Sequence, residues 1–211
     1  MLGLVLTVVA TAMAQDKKAQ DILGRVSEKT RSFNSLAANF VVSLTNPEME
    51  DMNESFDGSI KLKGQKYCLN LPDMGVQVIS DGTTLWNYMK DGNQVTINNV
   101  EDEGSELMDP SSLFTIYEKG FSSKYIAEKT VSGKRVHEIE LYPDGEKYDV
   151  SKITVYIDKS TFMIHSAVLN SLDGNQYGIE VKKMETNHNF PDSDFLFDAS
   201  KYPDIEEIDW R

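Results

Sequence analysis

An all-β fold, a long antiparallel meander that curls into an incomplete barrel, is what this sequence predicts. Apolar and polar residues alternate with a period of two in about eleven short runs, as strands with one buried face require. The pairs Asp81-Gly82, Asp91-Gly92, Asp144-Gly145 and Asp173-Gly174 fall between those runs, where tight hairpin turns need residues that tolerate positive φ. Helical spacing occurs in two places only, each amphipathic, so each must rest its apolar stripe on other parts of the chain.

The elements follow in order. Met1 to Ala14 carries no charge and runs Leu2, Leu4, Val5, Leu6, Val8 and Val9 into Ala12-Met13-Ala14. That is the apolar core and small-residue cleavage site of a signal peptide, with a mature single domain from 15 to 211. No Lys or Arg precedes the apolar run, so either the signal is atypical or the natural start lies elsewhere. From Asp16 to Ser32, Ala19, Ile22, Leu23 and Val26 recur at helical spacing. The alternating runs start at Ala38, Phe40, Val42 and Leu44, then Phe56, Gly58, Ile60 and Leu62. Further strands are predicted at Tyr67–Leu71, Val76–Ser80, Thr84–Met89, Gln94–Asn98, Tyr125–Val131, Arg135–Tyr142, Lys152–Asp158, Met163–Leu169 and Gln176–Met184. Gly58 sits inside a strand, where glycine marks a bulge or bend. Asp109-Pro110 opens a second helix carrying Leu113, Phe114, Ile116 and Tyr117 and ending at Gly120. From Asn189 on, Phe190, Phe195 and Phe197 lie among acids and prolines, which reads as an irregular strap with an acidic tail.

Composition narrows the function. The 211 residues suffice for one sizeable core, and the formal charge of −13 argues against nucleic acid or anionic headgroups as partners. The only cysteine, Cys68, allows no intrachain disulfide and reads as a small buried hydrophobe. Gln15, not a cysteine, follows Ala14, so no lipid anchor is expected there and the mature protein should be soluble. No heptad pattern or long exposed apolar run calls for an oligomer, and a monomer is expected.

Catalytic chemistry leaves no trace in the chain. There is no G-x-S-x-G elbow, H-E-x-x-H or phosphate-binding glycine loop. His137, His165 and His188 lack the spacing of shared metal ligands, and Asp91-Gly92-Asn93 and Asp173-Gly174-Asn175 lack the terminal Glu of a calcium loop. Neither an enzyme, nor a metal, nor a cofactor is expected.

The stretch Ser80-Asp81-Gly82-Thr83-Thr84-Leu85-Trp86-Asn87-Tyr88 with Gln94-Val95 resembles the hairpin that marks the periplasmic outer-membrane lipoprotein carrier (LolA) family. Ser32 to Phe40 is similar to its helix-to-strand junction and Gly58 to Lys63 to its second strand. Asp109-Pro110-Ser111-Ser112-Leu113 resembles its lid helix, and Phe195-Leu196-Phe197 its closing element. The resemblance implies an incomplete barrel with a helical lid and an apolar cavity for lipoprotein acyl chains. It also implies two partners, an inner-membrane ABC lipoprotein exporter and an outer-membrane acceptor. With the alternation, it gives a lipid cavity of Phe40, Val42, Leu44, Phe56, Ile60, Leu62, Trp86 and Tyr88 under a lid of Ile22, Val26, Leu113 and Phe114. Family members place an Arg after the second strand to tie down the lid, whereas this chain has Lys63-Gly64-Gln65, leaving Lys63 or Lys66 to substitute. Besides a chaperone for lipoprotein transport, an envelope lipid- or amphiphile-binding or sensing module of the same fold remains open. So does a structural barrel with a filled core.

Overall fold

The computed structural model describes residues 5–102, 120–145 and 148–211, with side chains for 16–49, 53–101, 120–145 and 148–211. The mid-chain helix with Leu113 and Phe114 lies outside the described residues. In chain order the elements are α1 (Val5–Arg31), β1 (Leu36–Asn46), β2 (Met49–Lys63), β3 (Lys66–Leu71), β4 (Val76–Ser80), β5 (Thr84–Met89) and β6 (Gln94–Asn99). Then come β7 (Phe121–Val131), β8 (Lys134–Pro143), β9 (Val150–Asp158), β10 (Ile164–Ser171), β11 (Gln176–Thr186) and β12 (Glu206–Asp209).

The strands form one sheet in the order β12-β6-β5-β4-β3-β2-β1-β11-β10-β9-β8-β7, so β7 and β12 are its edges and it does not close. Consecutive hairpins dominate, as the turn residues predict. Gly82, Gly145 and Gly174 take positive φ, but in the Asp91-Gly92-Asn93 turn the left-handed residue is Asn93 at φ 44° rather than the glycine. The acidic tail is a strand rather than an irregular end. β12 pairs in parallel with β6, Glu206 opposite Gln94 through Asp209 opposite Ile97. Backbone pairing at a sheet edge needs no apolar side chain, which is why four residues, three of them acidic, escaped the alternation test.

The chain divides into two compact units, residues 1–32, 43–54 and 114–180, and residues 33–42, 55–113 and 181–211. In the first, α1 packs against β7. The described part of the helix starts at Val5, upstream of the expected Asp16. Ala19, Ile22, Leu23 and Val26 form its buried stripe, and Lys29 and Arg31 suit its carboxyl end. Ile139, Leu141, Val155 and Ile157 are buried on β8 and β9, each such side chain contributing about 1.5–3 kcal/mol. None of the described helices is long and apolar enough to cross a membrane.

Candidate functional site

In the second unit the hairpin registers decide what each face of the sheet carries. Ile60 stands opposite Leu69, Leu69 opposite Val78, Val78 opposite Asn87 and Asn87 opposite Thr96. Directly opposed residues share a face. Ile60, Leu62, Tyr67, Leu69, Leu71, Val76, Val78 and Leu85 therefore lie on one side, joined by Phe56 through the alternation of β2. Phe56, Leu69, Leu71, Val76 and Val78 are only half-buried. Gly58 belongs to this face, and its φ is not left-handed. A Cβ there would lie 2.6 Å from Phe40 Cζ and 2.9 Å from Leu71 Cδ2, so the missing side chain is the seat of the Phe40 ring. That contact sets Phe40, and by alternation Val42, on the same side.

The charged residues of these strands from Ser55 on are Asp57, Lys61, Lys63 and Lys66, and all four belong to the opposite face. The register puts Trp86 with Lys61, Cys68, Ile79 and Ile97 there, and Tyr88 with Ser59, Asn70, Gln77 and Val95. Trp86 and Tyr88, placed with Ile60 and Leu62 in the sequence-based cavity, thus face away from them. Tyr88 is covered by the C-terminal strap, whose Phe197, Tyr202 and Ile205 pack with the half-buried Trp86 against Tyr88, Val95 and Ile97. The Tyr202 ring lies 4.4 Å from Tyr88 and stacks at 5.1 Å on Phe197, and its hydroxyl bonds Gln77 at 3.2 Å.

Ion pairs fasten the strap. Lys61 meets Asp194 at 2.8 Å, Lys63 meets Asp192 at 2.9 Å and donates to the Phe190 carbonyl at 2.8 Å, and Lys66 meets Asp192 at 3.1 Å. Hydrogen bonds from both lysines hold the Asp192 carboxyl below its ordinary range. Of the two candidates for the missing lid arginine, each thus holds the strap, while Gly64 makes the left-handed corner of the hairpin at φ 62°. Cys68 is half-buried rather than fully buried, and burial pushes its thiol up.

In the first unit, Ile139, Val155, Ala167 and Ile179 are opposed in turn, as are Leu141, Ile153, Leu169 and Tyr177. Where β7 to β9 form this face it is buried, but Ala167, Leu169 and Ile179 are half-buried and Tyr177 is 46% exposed. Leu44 is half-buried as well. The other side is polar. Glu138 accepts from Lys129 at 2.7 Å and from Tyr156 at 3.2 Å, and Glu140 from Lys152 at 2.6 Å. A groove of about 570 Å³ runs beside α1, lined by residues such as Leu23, Gly24, Ser27, Phe121 and Ser123.

α1 is clipped down by two cations over rings. Lys18 Nζ lies 3.7 Å from the Tyr125 centroid, and the Arg25 guanidinium carbon 3.6 Å from that of Phe162. Of the expected lid residues, Ile22 and Val26 are buried on this helix. Sequence reasoning missed Leu69, Leu71, Val76 and Val78. The signal lay in hairpin length, because each pairing from β2 to β6 matches an even-numbered residue with an odd one, so facing positions switch parity at every turn. Among the described residues no group of three His, Cys, Asp or Glu could hold a metal.

An open sheet whose second unit has an apolar face uncharged from Ser55 on offers a surface that could hold an apolar ligand. The family described as "Outer membrane lipoprotein carrier protein LolA" matches residues 31–198, and the chain belongs to it. It is 25% identical over 199 residues to "Uncharacterized protein MJ0687" of Methanocaldococcus jannaschii, an alignment covering 93% of this chain and 56% of that protein. The chain therefore spans about half the length of the curated relative it matches. An uncharacterized conserved protein from Thermus thermophilus superposes with a TM-score of 0.61 at 14% identity, covering 91% of this chain and 99% of that one. A DUF1329 family protein from Desulfovibrio piger gives 0.53 at 12% identity, covering 89% and 99%. At those identities the likeness is one of fold.

Proposed function

We propose that the protein is a periplasmic carrier, exported by the Ala12-Met13-Ala14 signal, that holds lipoprotein acyl chains against the apolar side of its sheet. It takes cargo from an inner-membrane ABC exporter and passes it to an outer-membrane acceptor. The observation that supports this reading is the sorting of charge. Asp57, Lys61, Lys63 and Lys66 all belong to the strap side, while the side bearing Phe40, Val42, Phe56, Ile60, Leu62, Leu69 and Val78 receives no charge from these strands. On that side Leu69, Leu71, Val76 and Val78 stay half-buried beside the buried Phe40, Ile60, Leu62 and Leu85.

Acyl transfer from water yields about 0.8 kcal/mol per methylene, so a carrier must leave part of that gain unrealised in order to release. Half-buried, incompletely enclosed residues suit that compromise. The reading is of a binder and involves no bond chemistry. Lys63 and Lys66, at the place of the family's lid arginine, pair with the strap, which favours as a second reading a different amphiphile for the same face.

Binding of a fluorescent diacylated lipopeptide tests the reading, with Leu69→Glu and Trp86→Ala as variants. Leu69→Glu should fold and lose binding, since a carboxylate set against acyl chains is an uncompensated charge. Trp86→Ala should lose stability but keep binding. Lipopeptide binding that survives Leu69→Glu, or no binding by the native protein, would overturn the proposal. Binding of a glycolipid in its place would select the second reading.

A further inference from the structure

The first unit buries a titratable group that ligand binding does not use. His137 on β8 is 6% exposed, and its Nδ1 is buried without a hydrogen-bond partner. Its ring stands edge-on to Tyr125 at 5.9 Å and tilted to Phe162 at 6.2 Å. Those two rings are the ones that carry Lys18 and Arg25 of α1. The imidazole is thus the shared neighbour of both clips that hold the helix.

The local backbone is shaped to make this arrangement. Phe162 takes φ 56°, a left-handed conformation unfavourable for a bulky residue, in the turn between β9 and β10. That turn is fixed by Asp158, which accepts from Ser160 and Thr161, while Phe162 N donates to the Asp158 carbonyl at 2.9 Å. A strained aromatic held between a buried histidine and a helix cation points to a role beyond packing.

We propose that His137 is a proton-operated release for α1: its protonation unseats the helix and uncovers the β7–β9 face beneath. Neutral imidazole fits an apolar slot between two rings. Imidazolium would be desolvated there and would be repelled by Lys18 and Arg25, the cations held over the same two rings. Among the described residues the anion near it is Glu128 on β7, 4.0 Å from Nδ1. That carboxylate pairs through Oε2 with Lys159 at 2.5 Å from the end of β9 and with Arg135 of β8 at 3.1 Å, and it is Oε1 that stands 4.0 Å from the imidazole. Burial accordingly pulls the imidazole below its ordinary 6.5, against the attraction of Glu128 and with the help of Lys159, Lys18 and Arg25. The sign follows from linkage. A histidine kept neutral when α1 is docked leaves docking at full strength above 6.5 and weakens it as pH falls below that value.

The release acts on the helix of the first unit and rests on the carrier reading for its purpose, but its test requires no lipid. Hydrogen exchange of the native protein at pH 7.5 and pH 5.5, corrected for the intrinsic rate, should show α1 opening several-fold more at the lower pH while β8 and β9 stay protected. In His137→Phe, α1 should be insensitive to that change. His137→Gln, uncharged at both pH values, serves as the second variant should the first not fold. Equal α1 protection at both pH values, or a loss that persists in the variant, would overturn the proposal. Failure of lipopeptide binding with a pH-sensitive helix would overturn the carrier reading alone.

Discussion

Two covers, one in each unit, are built by different chemistry. The C-terminal strap lies on its strands through carboxylate–lysine pairs at Asp192 and Asp194, a fully buried Phe195, the Tyr88–Tyr202–Phe197 stack and the added strand β12. α1 carries a buried apolar stripe, but its cations rest on rings, Lys18 on Tyr125 and Arg25 on Phe162, at about 0.5–1 kcal/mol each where exposed. A side chain at Gly24 would meet nothing within 4 Å, whereas Phe195 has no exposed surface at all. The difference teaches which cover is fixed. Strand pairing and a sealed aromatic tie the strap into the sheet, while α1, seated by its apolar stripe and two ring faces, supplies no strand, so the release proposed above would break none.

The largest effect should come from the strap. Phe195→Ala removes a wholly buried ring and should cost about 3–5 kcal/mol in a denaturant melt, with the strap and the strands beneath it melting together. Loss of the strap alone, with β5 and β6 still protected, would make it a second removable cover and erase the contrast.

Gly58→Ala probes the uncharged side of the same strands. Its methyl would intrude on the Phe40 ring and on Leu71 Cδ2, for an expected loss of about 1–3 kcal/mol. Phe40→Leu in the same chain should restore part of it. A neutral Gly58→Ala would show that this side is looser than the strap side even at its best-packed point.

Gly24→Ala should act in the opposite direction and least. Within α1 it replaces the poorest helix former short of proline, into open space, for a gain of about 0.5–1 kcal/mol in helix stability. The check is slower exchange confined to α1. A gain spread over the whole sheet would mean that the helix and the strands open as one.

Much of the fold was legible in advance. A period of two marked β1 to β11 because half-buried strands enforce it, and Asp-Gly or Ser-Gly marked the turns β4–β5, β5–β6, β7–β8, β8–β9 and β10–β11, while the β9–β10 turn with Phe162 left-handed carried no such signal. The family resemblance was legible in motifs such as the Trp86 hairpin. The binding face was legible only in part. β3, β4 and β5 carry apolar residues on both sides: Leu69 against Cys68, Val78 against Ile79, Leu85 against Trp86. Alternation cannot choose a side when both are apolar, so it does not separate Trp86 and Tyr88 from Ile60 and Leu62.

By itself, then, the sequence determined the strands, their turns and the parity that joins facing residues across each even hairpin, because these are set by neighbours along the chain. Tertiary structure decided which side received the strap and which stayed partly open. Residues 190–205 return to strands more than a hundred positions earlier, and Lys61, Lys63 and Lys66 gain their meaning only when Asp192 and Asp194 arrive opposite them. The pairing of β12 was likewise out of reach, since an open sheet edge offers backbone hydrogen bonds to any extended segment that comes near. So was the place of His137, a lone histidine until α1 and the turn at Phe162 bring two rings and two cations around it.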